Sequence, residues 1–230
     1  MHFENNAEVV VRGIRLRYLD VGEGRPVVLI HGNGETHLIF DREIEQLTAA
    51  GYRVIAPDSR GHGESGPVQE FHYEDMAEDV YQLIQALQLR QPLYYGHSDG
   101  GIIGLLLEIR HPGTVCAMAI SGTNLSPQGL KEDFLEDCRR QNMGSPNPLI
   151  TLMLKEPQIN PEQLRNIRIP VLVTVGENDL VRPEETDQIT AHLPNATKVV
   201  LEGQDHGSYV VGSDIMGNML IDFFSYENMN

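Results

Sequence analysis

Leu93-Tyr94-Tyr95-Gly96-His97-Ser98-Asp99-Gly100-Gly101-Ile102-Ile103-Gly104 is the stretch on which the fold turns. A short apolar run ends in Gly-His-Ser-Asp-Gly, and a small-residue helical pattern begins at once. That order predicts a strand, a very tight turn and a helix, with Ser98 at the apex. Gly96 and Gly100 lack side chains where the turn folds back, so the backbone there is expected to take up a strained geometry. The Ser98 hydroxyl would then stand above the end of a sheet, open to a base and a substrate. Gly100, Gly101 and Gly104 allow the helix to pack close to that sheet.

The same rhythm extends upstream. Residues 8–11 and 14–21 alternate apolar and polar side chains around Gly13 and predict an antiparallel hairpin at a sheet edge. Pro26 to Ile30 is a continuous apolar strand of the kind buried on both faces, ending in His31-Gly32-Asn33-Gly34-Glu35. Phe40, Ile44, Leu47 and Ala50 have helical spacing, and Gly51 stops that helix. Arg53 to Ala56 predicts a strand running into the polar loop Asp58-Ser59-Arg60-Gly61-His62-Gly63-Glu64-Ser65. A helix over 73–87 would bury Met76, Val80, Leu83, Ile84 and Leu87. The strand under Ser98 then covers 92–95, its helix 101–110, and a further strand 115–120.

Beyond residue 121 the alternation breaks. Residues 122–169 hold a charged helical stretch, 130–141, then a region rich in proline and glycine and a polar run at 163–168. An insertion of this kind, at the carboxyl ends of the strands, would lie over the site as a small lid. The pattern resumes with strand 170–175, which ends in Gly176-Glu177-Asn178-Asp179. A helix over 184–193 follows, then a strand over 197–201 ending in Gly203-Gln204-Asp205-His206-Gly207. A last helix over 215–224 would turn Ile215, Met219, Leu220 and Phe223 to the sheet. Strands alternating with helices through short connections predict a mostly parallel, doubly wound α/β sheet with helices on both faces.

With 230 residues the chain is long enough for one domain around a single core, residues 1–230, with the insertion at 122–169 as a small cap. The net charge of −16 argues against nucleic acid and anionic lipid as partners and for neutral or small substrates. No apolar run approaches the roughly 20 residues of a membrane span. The first residues, Met-His-Phe-Glu-Asn-Asn-Ala-Glu, have neither a basic region nor an apolar one, so no signal peptide is expected and the expected location is cytoplasmic. Cys116 falls in a predicted core strand and Cys138 on a polar helical stretch, and no disulfide between them is expected. No spacing of His, Asp or Glu resembles a metal site, and no cofactor is expected. A monomer or a homodimer is expected.

A serine hydroxyl is a poor nucleophile at neutral pH. It needs a base within hydrogen-bond reach, and the base needs a third group to orient it. Loops at the carboxyl ends of parallel strands converge on one edge, so residues distant in sequence can meet there. Ser98, Asp179 and His206 each stand just past such a predicted strand. Glu177 and Asp205 compete with Asp179 for the acid role, although Asp205 directly precedes His206 and should point away from its far nitrogen.

Taken together, the His31-Gly32-Asn33-Gly34 segment, the Asp58-to-Ser65 loop, the elbow at Ser98, Gly176-Glu177-Asn178-Asp179 and Asp205-His206-Gly207 resemble, in order, the motifs of α/β-hydrolases over roughly residues 8–226. The resemblance implies a serine hydrolase of carboxylesterase type acting on a small-molecule acyl substrate. Ser98 would attack the carbonyl, His206 would take and return the proton, and Asp179 would orient the imidazole. The backbone N–H groups of Asn33 and Asp99 would form the oxyanion hole. Relatives with an aspartate nucleophile place Asp, usually followed by Trp, at the apex; here the apex is Ser98 and the chain has no Trp. Carbon–carbon bond hydrolysis, a proline-iminopeptidase-like aminopeptidase, and a non-catalytic small-ligand-binding protein on the same fold are the alternatives. The Asp58-to-Ser65 loop is expected to be structural. The Asp99 side chain either faces the pocket, where it would disfavour anionic acyl groups and raise the basicity of His206, or hydrogen-bonds local backbone.

Overall fold

The computed structural model describes residues 6–229, and the N-terminal reading, in so far as it rests on residues 1–5, lies outside them. Two edge strands, β1 (Asn6–Val11) and β2 (Ile14–Val21), form the expected hairpin, closed by Arg12 and Gly13 at φ 51° and 79°. Two positive φ angles in a two-residue turn match the right-handed twist of the strands it joins. Then come β3 (Arg25–Ile30), α1 (Asp41–Ala49), β4 (Tyr52–Pro57), α2 (Tyr73–Ala86), β5 (Leu93–His97) and α3 (Asp99–Arg110). After β6 (Ala117–Ser121) the chain forms α4 (Glu132–Gln141) and α5 (Pro148–Lys155). It ends with β7 (Val171–Gly176), α6 (Pro183–His192), β8 (Ala196–Leu201) and α7 (Ile215–Met229).

The eight strands form one sheet in the order β1-β2-β4-β3-β5-β6-β7-β8. β2 pairs antiparallel with β1 and β4, and every later pairing is parallel. From β3 the chain first steps to β4 on one side and then returns to β5 on the other. The order therefore reverses between β3 and β5, and a crevice opens outside the carboxyl ends of strands at such a point. The Asn33 loop follows β3 and Ser98 follows β5, so topology alone brings them to the same place.

Period-two alternation divides the core into two layers. Val28, Ile30, Tyr94, Met118, Ile120 and Val173 pack beneath α2, α3 and α6. Val27, Leu29, Leu93, Tyr95, Ala117, Ala119 and Leu172 pack beneath α1 and α7. At about 25 cal/mol per Å² of apolar surface, each large side chain sealed here contributes on the order of 1.5–3 kcal/mol.

Several sequence expectations need correction. α7 turns Met216, Leu220 and Phe224 to the sheet, and Ile215 is exposed; Met219 and Phe223 are only partly buried. Ala50 is likewise exposed, and Leu87 is only partly buried. The proline-rich part of the insertion is more helical than expected. Pro148 opens α5, with the Asn147 side chain accepting from the Leu149 N–H at 2.9 Å, and Pro161 opens a 3₁₀ turn capped by Asn160. Proline suits the first helical position, where its missing N–H has no partner to lose. Cys138 is buried on α4, and Cys116 stands just ahead of β6, partly buried; both are free thiols. Among the described residues no helix is long and apolar enough to cross a membrane.

Candidate active site

Ser98 occupies the turn between β5 and α3 with φ 53° and ψ −114°, a conformation costly for any residue with a Cβ. The strain sits on the serine itself. Gly96 and Gly100, expected to carry it, have no positive φ; their role is close approach. A Cβ on Gly96 would collide with the backbone of Gly100, and one on Gly100 with the carbonyl of Ile30. With those side chains absent, α3 starts directly after the apex and its N-terminus lies against the end of β3. The Ser98 N–H donates to the Ser121 carbonyl at 2.8 Å, which ties the turn to β6.

Three loops then meet. His206 Nε2 lies 3.0 Å from Ser98 Oγ, and His206 Nδ1 lies 2.7 Å from Asp179 Oδ1. With Nδ1–H donating to the carboxylate, Nε2 is left to accept the serine proton. Asp179 is buried, and burial by itself would push its carboxyl up. The bond and charge of His206, with the N–H groups of Val181 and Gly176, more than reverse this and hold its pKa below the ordinary carboxylate value. The competing acids are engaged elsewhere: Asp205 accepts from the N–H groups of Gly207 and Ser208, and Glu177 from that of Gly203. Asp205 thereby shapes the turn that presents His206.

Beside Ser98 are two backbone donors with no acceptor among the described residues, the N–H groups of Asn33 and Asp99. In the loop after β3 the N–H groups of Gly32, Gly34 and Glu35 are all occupied, by Glu35 Oε2, His62 Nε2 and the Gly32 carbonyl. Only that of Asn33 is left over. The Asp99 N–H opens α3, where the helix dipole favours negative charge. The loop is held from below by His31, whose Nδ1–H donates to the Gly32 carbonyl while Nε2 accepts from the Ser59 N–H. Burial keeps His31 neutral, with its pKa lowered to about 4. His97 is also buried, with its pKa lowered to about 3, and its ring lies 5.0 Å from that of His206. It stays neutral beside the imidazole and does not compete for the proton.

The Asp58-to-Ser65 loop is structural. Asp58 accepts from the backbone N–H groups of His37 and Glu64, and Arg60 forms two 2.6 Å bonds to Asp79 of α2. The Asp99 carboxylate lines the cavity wall, as the first of the two sequence expectations has it, and it makes no bond to local backbone. Its oxygens are nonetheless taken by protein neighbours. It accepts from Tyr73 Oη at 2.8 Å and from Asn33 Nδ2 at 3.0 Å. Burial lifts its pKa, the two bonds oppose that, and it settles at about 6.

A cavity of about 190 Å³ opens over Ser98. Leu130, Phe134, Met153 and Leu180 form its apolar wall, and Glu35, Tyr73 and Glu156 its polar one. None of these was singled out as a site residue in the sequence, because each comes from a loop or helix whose placement depends on packing. Gly122 was also missed. At φ 55° it stands where a Cβ would lie 2.7 Å from His206 Cε1 and 3.3 Å from Asp179 Oδ2, so glycine there makes room for the His–Asp pair. Its one signal in the sequence is a glycine directly after a buried strand.

Known proteins agree with this architecture. The AB hydrolase superfamily protein YisY of Bacillus subtilis (strain 168) is 23% identical over 249 residues, covering 89% of this chain and 93% of that protein. The human serine hydrolase BPHL is 26% identical over 251 residues, covering 95% of this chain and 86% of its own. The crystal structure of the esterase RhEst1 from Rhodococcus sp. ECU1013 superposes with a TM-score of 0.77 at 25% identity, over 96% of this chain and 98% of that one. The family model described as the alpha/beta hydrolase fold matches residues 25–147. An eight-stranded doubly wound sheet, a strained serine after its fifth strand and that match lead to one conclusion: the chain belongs to the α/β-hydrolase fold family.

Proposed function

We propose that the protein is a serine hydrolase that cleaves a small carboxylic ester through an acyl-enzyme on Ser98. The observation that carries this reading is the continuous hydrogen-bond path from Ser98 Oγ through His206 to Asp179, at 3.0 and 2.7 Å. In the first half-reaction Ser98 Oγ bonds to the substrate carbonyl carbon and passes its proton to His206 Nε2. The N–H groups of Asn33 and Asp99 receive the oxyanion; one such donor is worth on the order of 3 kcal/mol of barrier. Asp179 stabilises the imidazolium, which then protonates the departing alkoxide as the C–O bond breaks. In the second half-reaction water gives its proton to His206 and its oxygen to the acyl carbon, and Ser98 leaves with that proton.

The cavity of about 190 Å³ suits an acyl group of a few carbons. Among its lining residues are Glu35, Asp99 and Glu156 and no Lys or Arg, which weighs against anionic acyl groups. The names of the human serine hydrolase and of the Rhodococcus esterase support the same chemistry. Turnover of p-nitrophenyl acetate and butyrate, with Ser98→Ala as control, tests the reading directly. Acetate and butyrate esters should be hydrolysed, the variant should be inactive, and a fluorophosphonate probe should label Ser98. Folded protein that neither hydrolyses the esters nor takes up the label would favour the non-catalytic ligand-binding alternative.

A further inference from the structure

The Asp99 side chain has no part in the acyl-transfer steps above, although it directly follows the nucleophile. Both of its oxygens are spent on neighbours. Oδ2 accepts from Asn33 Nδ2, and the same amide nitrogen also donates to the Leu149 carbonyl at 3.3 Å, in the first turn of α5. Oδ1 accepts from Tyr73 Oη, and the Tyr73 backbone N–H donates to Glu156 Oε2 at 3.1 Å. Glu156 is the C-cap of α5 and is held in turn by His72 Nδ1 at 2.6 Å. Two arms therefore leave one carboxylate and land on the two ends of the same helix. The first arm passes through Asn33, whose backbone N–H is one of the two unoccupied donors beside Ser98.

We propose that Asp99 is a positioning residue: its carboxylate clamps the Asn33 loop to both ends of α5, so that the seating of the insertion over the cavity and the alignment of the Asn33 N–H are one structural event. A carboxylate suits this place because it offers only acceptors, and both neighbours present donors. An amide there could still accept from Asn33 and donate to the Tyr73 hydroxyl, but without the charge that strengthens both bonds. The clamp also explains why a buried, costly acid lies at this point: each oxygen has a short bond to offset its desolvation. The kinetic part of the proposal rests on the ester-hydrolase reading; the structural part does not.

Asp99→Ala, which removes both acceptors and keeps the backbone N–H, tests it with two readouts. In hydrogen–deuterium exchange, residues 31–35 and 149–156 should exchange faster than in the wild type by about tenfold or more, while the strands stay protected. In steady-state turnover of p-nitrophenyl acetate, kcat should fall by about 10- to 100-fold with KM changed less than about threefold, as for a group that acts only on the transition state. Tyr73→Phe removes one hydroxyl and breaks a single arm, and it serves where Asp99→Ala folds poorly. It should loosen the Glu156 end more than the Asn33 loop and lower kcat severalfold. Unchanged exchange in both segments overturns the clamp, whatever the kinetics. Faster exchange in a protein whose wild type hydrolyses no ester would leave the clamp standing and remove the esterase reading. A wild-type kcat in a variant with loosened segments would overturn the link to the oxyanion donor.

Discussion

Asp99 and Glu43 are both carboxylic acids sealed from solvent, one at the foot of α3 beside the nucleophile, the other on α1 in the opposite core layer. Their surroundings differ in one respect. Asp99 receives a hydrogen bond on each oxygen, and its pKa settles at about 6. Among the described residues neither oxygen of Glu43 has a hydrogen-bond partner from another residue, and burial pushes its pKa up to about 8. Asp179, with His206 and two backbone N–H groups, goes further and lies below the ordinary carboxylate value. Burial alone thus does not decide whether an acid is charged. The donors arranged around it do, and this chain supplies them at the carboxyl edge of the sheet and withholds them beneath α1.

The largest effect expected from breaking this contrast is at Asp179. Asp179→Asn keeps the size of the side chain and removes the charge that fixes His206, so kcat for p-nitrophenyl esters should fall by about 10⁴-fold while the thermal midpoint changes little. A wild-type rate would show that the acid is supplied elsewhere. Asp79 is the next case, a buried carboxylate whose pKa burial raises against the opposing bonds and charge of Arg60. Asp79→Asn leaves the buried Arg60 with one neutral amide oxygen and, as its charged partner, only the longer 3.4 Å contact to Asp75, and urea unfolding should show a loss of about 3 kcal/mol.

Glu43 should behave in the opposite sense. Its folded pKa of about 8 lies above the 4.5 of an ordinary glutamate, so between those values the unfolded chain ionises and the native one does not. The unfolded state then binds fewer protons, and stability falls as pH rises from about 4.5 to about 8, by at most about 1.4 kcal/mol per pH unit. Glu43→Gln removes the proton without changing the packing. Its thermal midpoint should match the wild type near pH 5 and exceed it increasingly up to pH 8, with no change in ester turnover. A constant gap between the two proteins across that range would mean that Glu43 is already ionised in the fold.

Much of the architecture is legible in the sequence, for reasons particular to each segment. β3, β5 and β6 are short, uninterrupted apolar runs because both of their faces are covered, and this distinguishes them from the alternating hairpin of β1 and β2. α7 was harder to phase. It carries apolar residues around much of its circumference, so the choice between Ile215, Met219 and Phe223 and the observed Met216 and Phe224 is one of about 100° of rotation, which packing against α1 and the sheet settles. α5 leaves a weaker trace in the sequence, because its start is an Asn147-Pro148 pair in a proline-rich stretch, and only the cap geometry shows that the pair opens a helix.

The site divides in the same way. Local chemistry determined the strand–serine–helix elbow, the chain order of Ser98, Asp179 and His206, and the polar loop after β3, because each is a short-range pattern of residue types. Only the tertiary structure decided which of Glu177, Asp179 and Asp205 meets the imidazole, why Gly122 must lack a side chain, and where the Asp99 carboxylate is spent. Those are questions of distance between segments far apart in the chain. Such distances come from strand order, sheet twist and helix packing acting together, and no local run of residues encodes them.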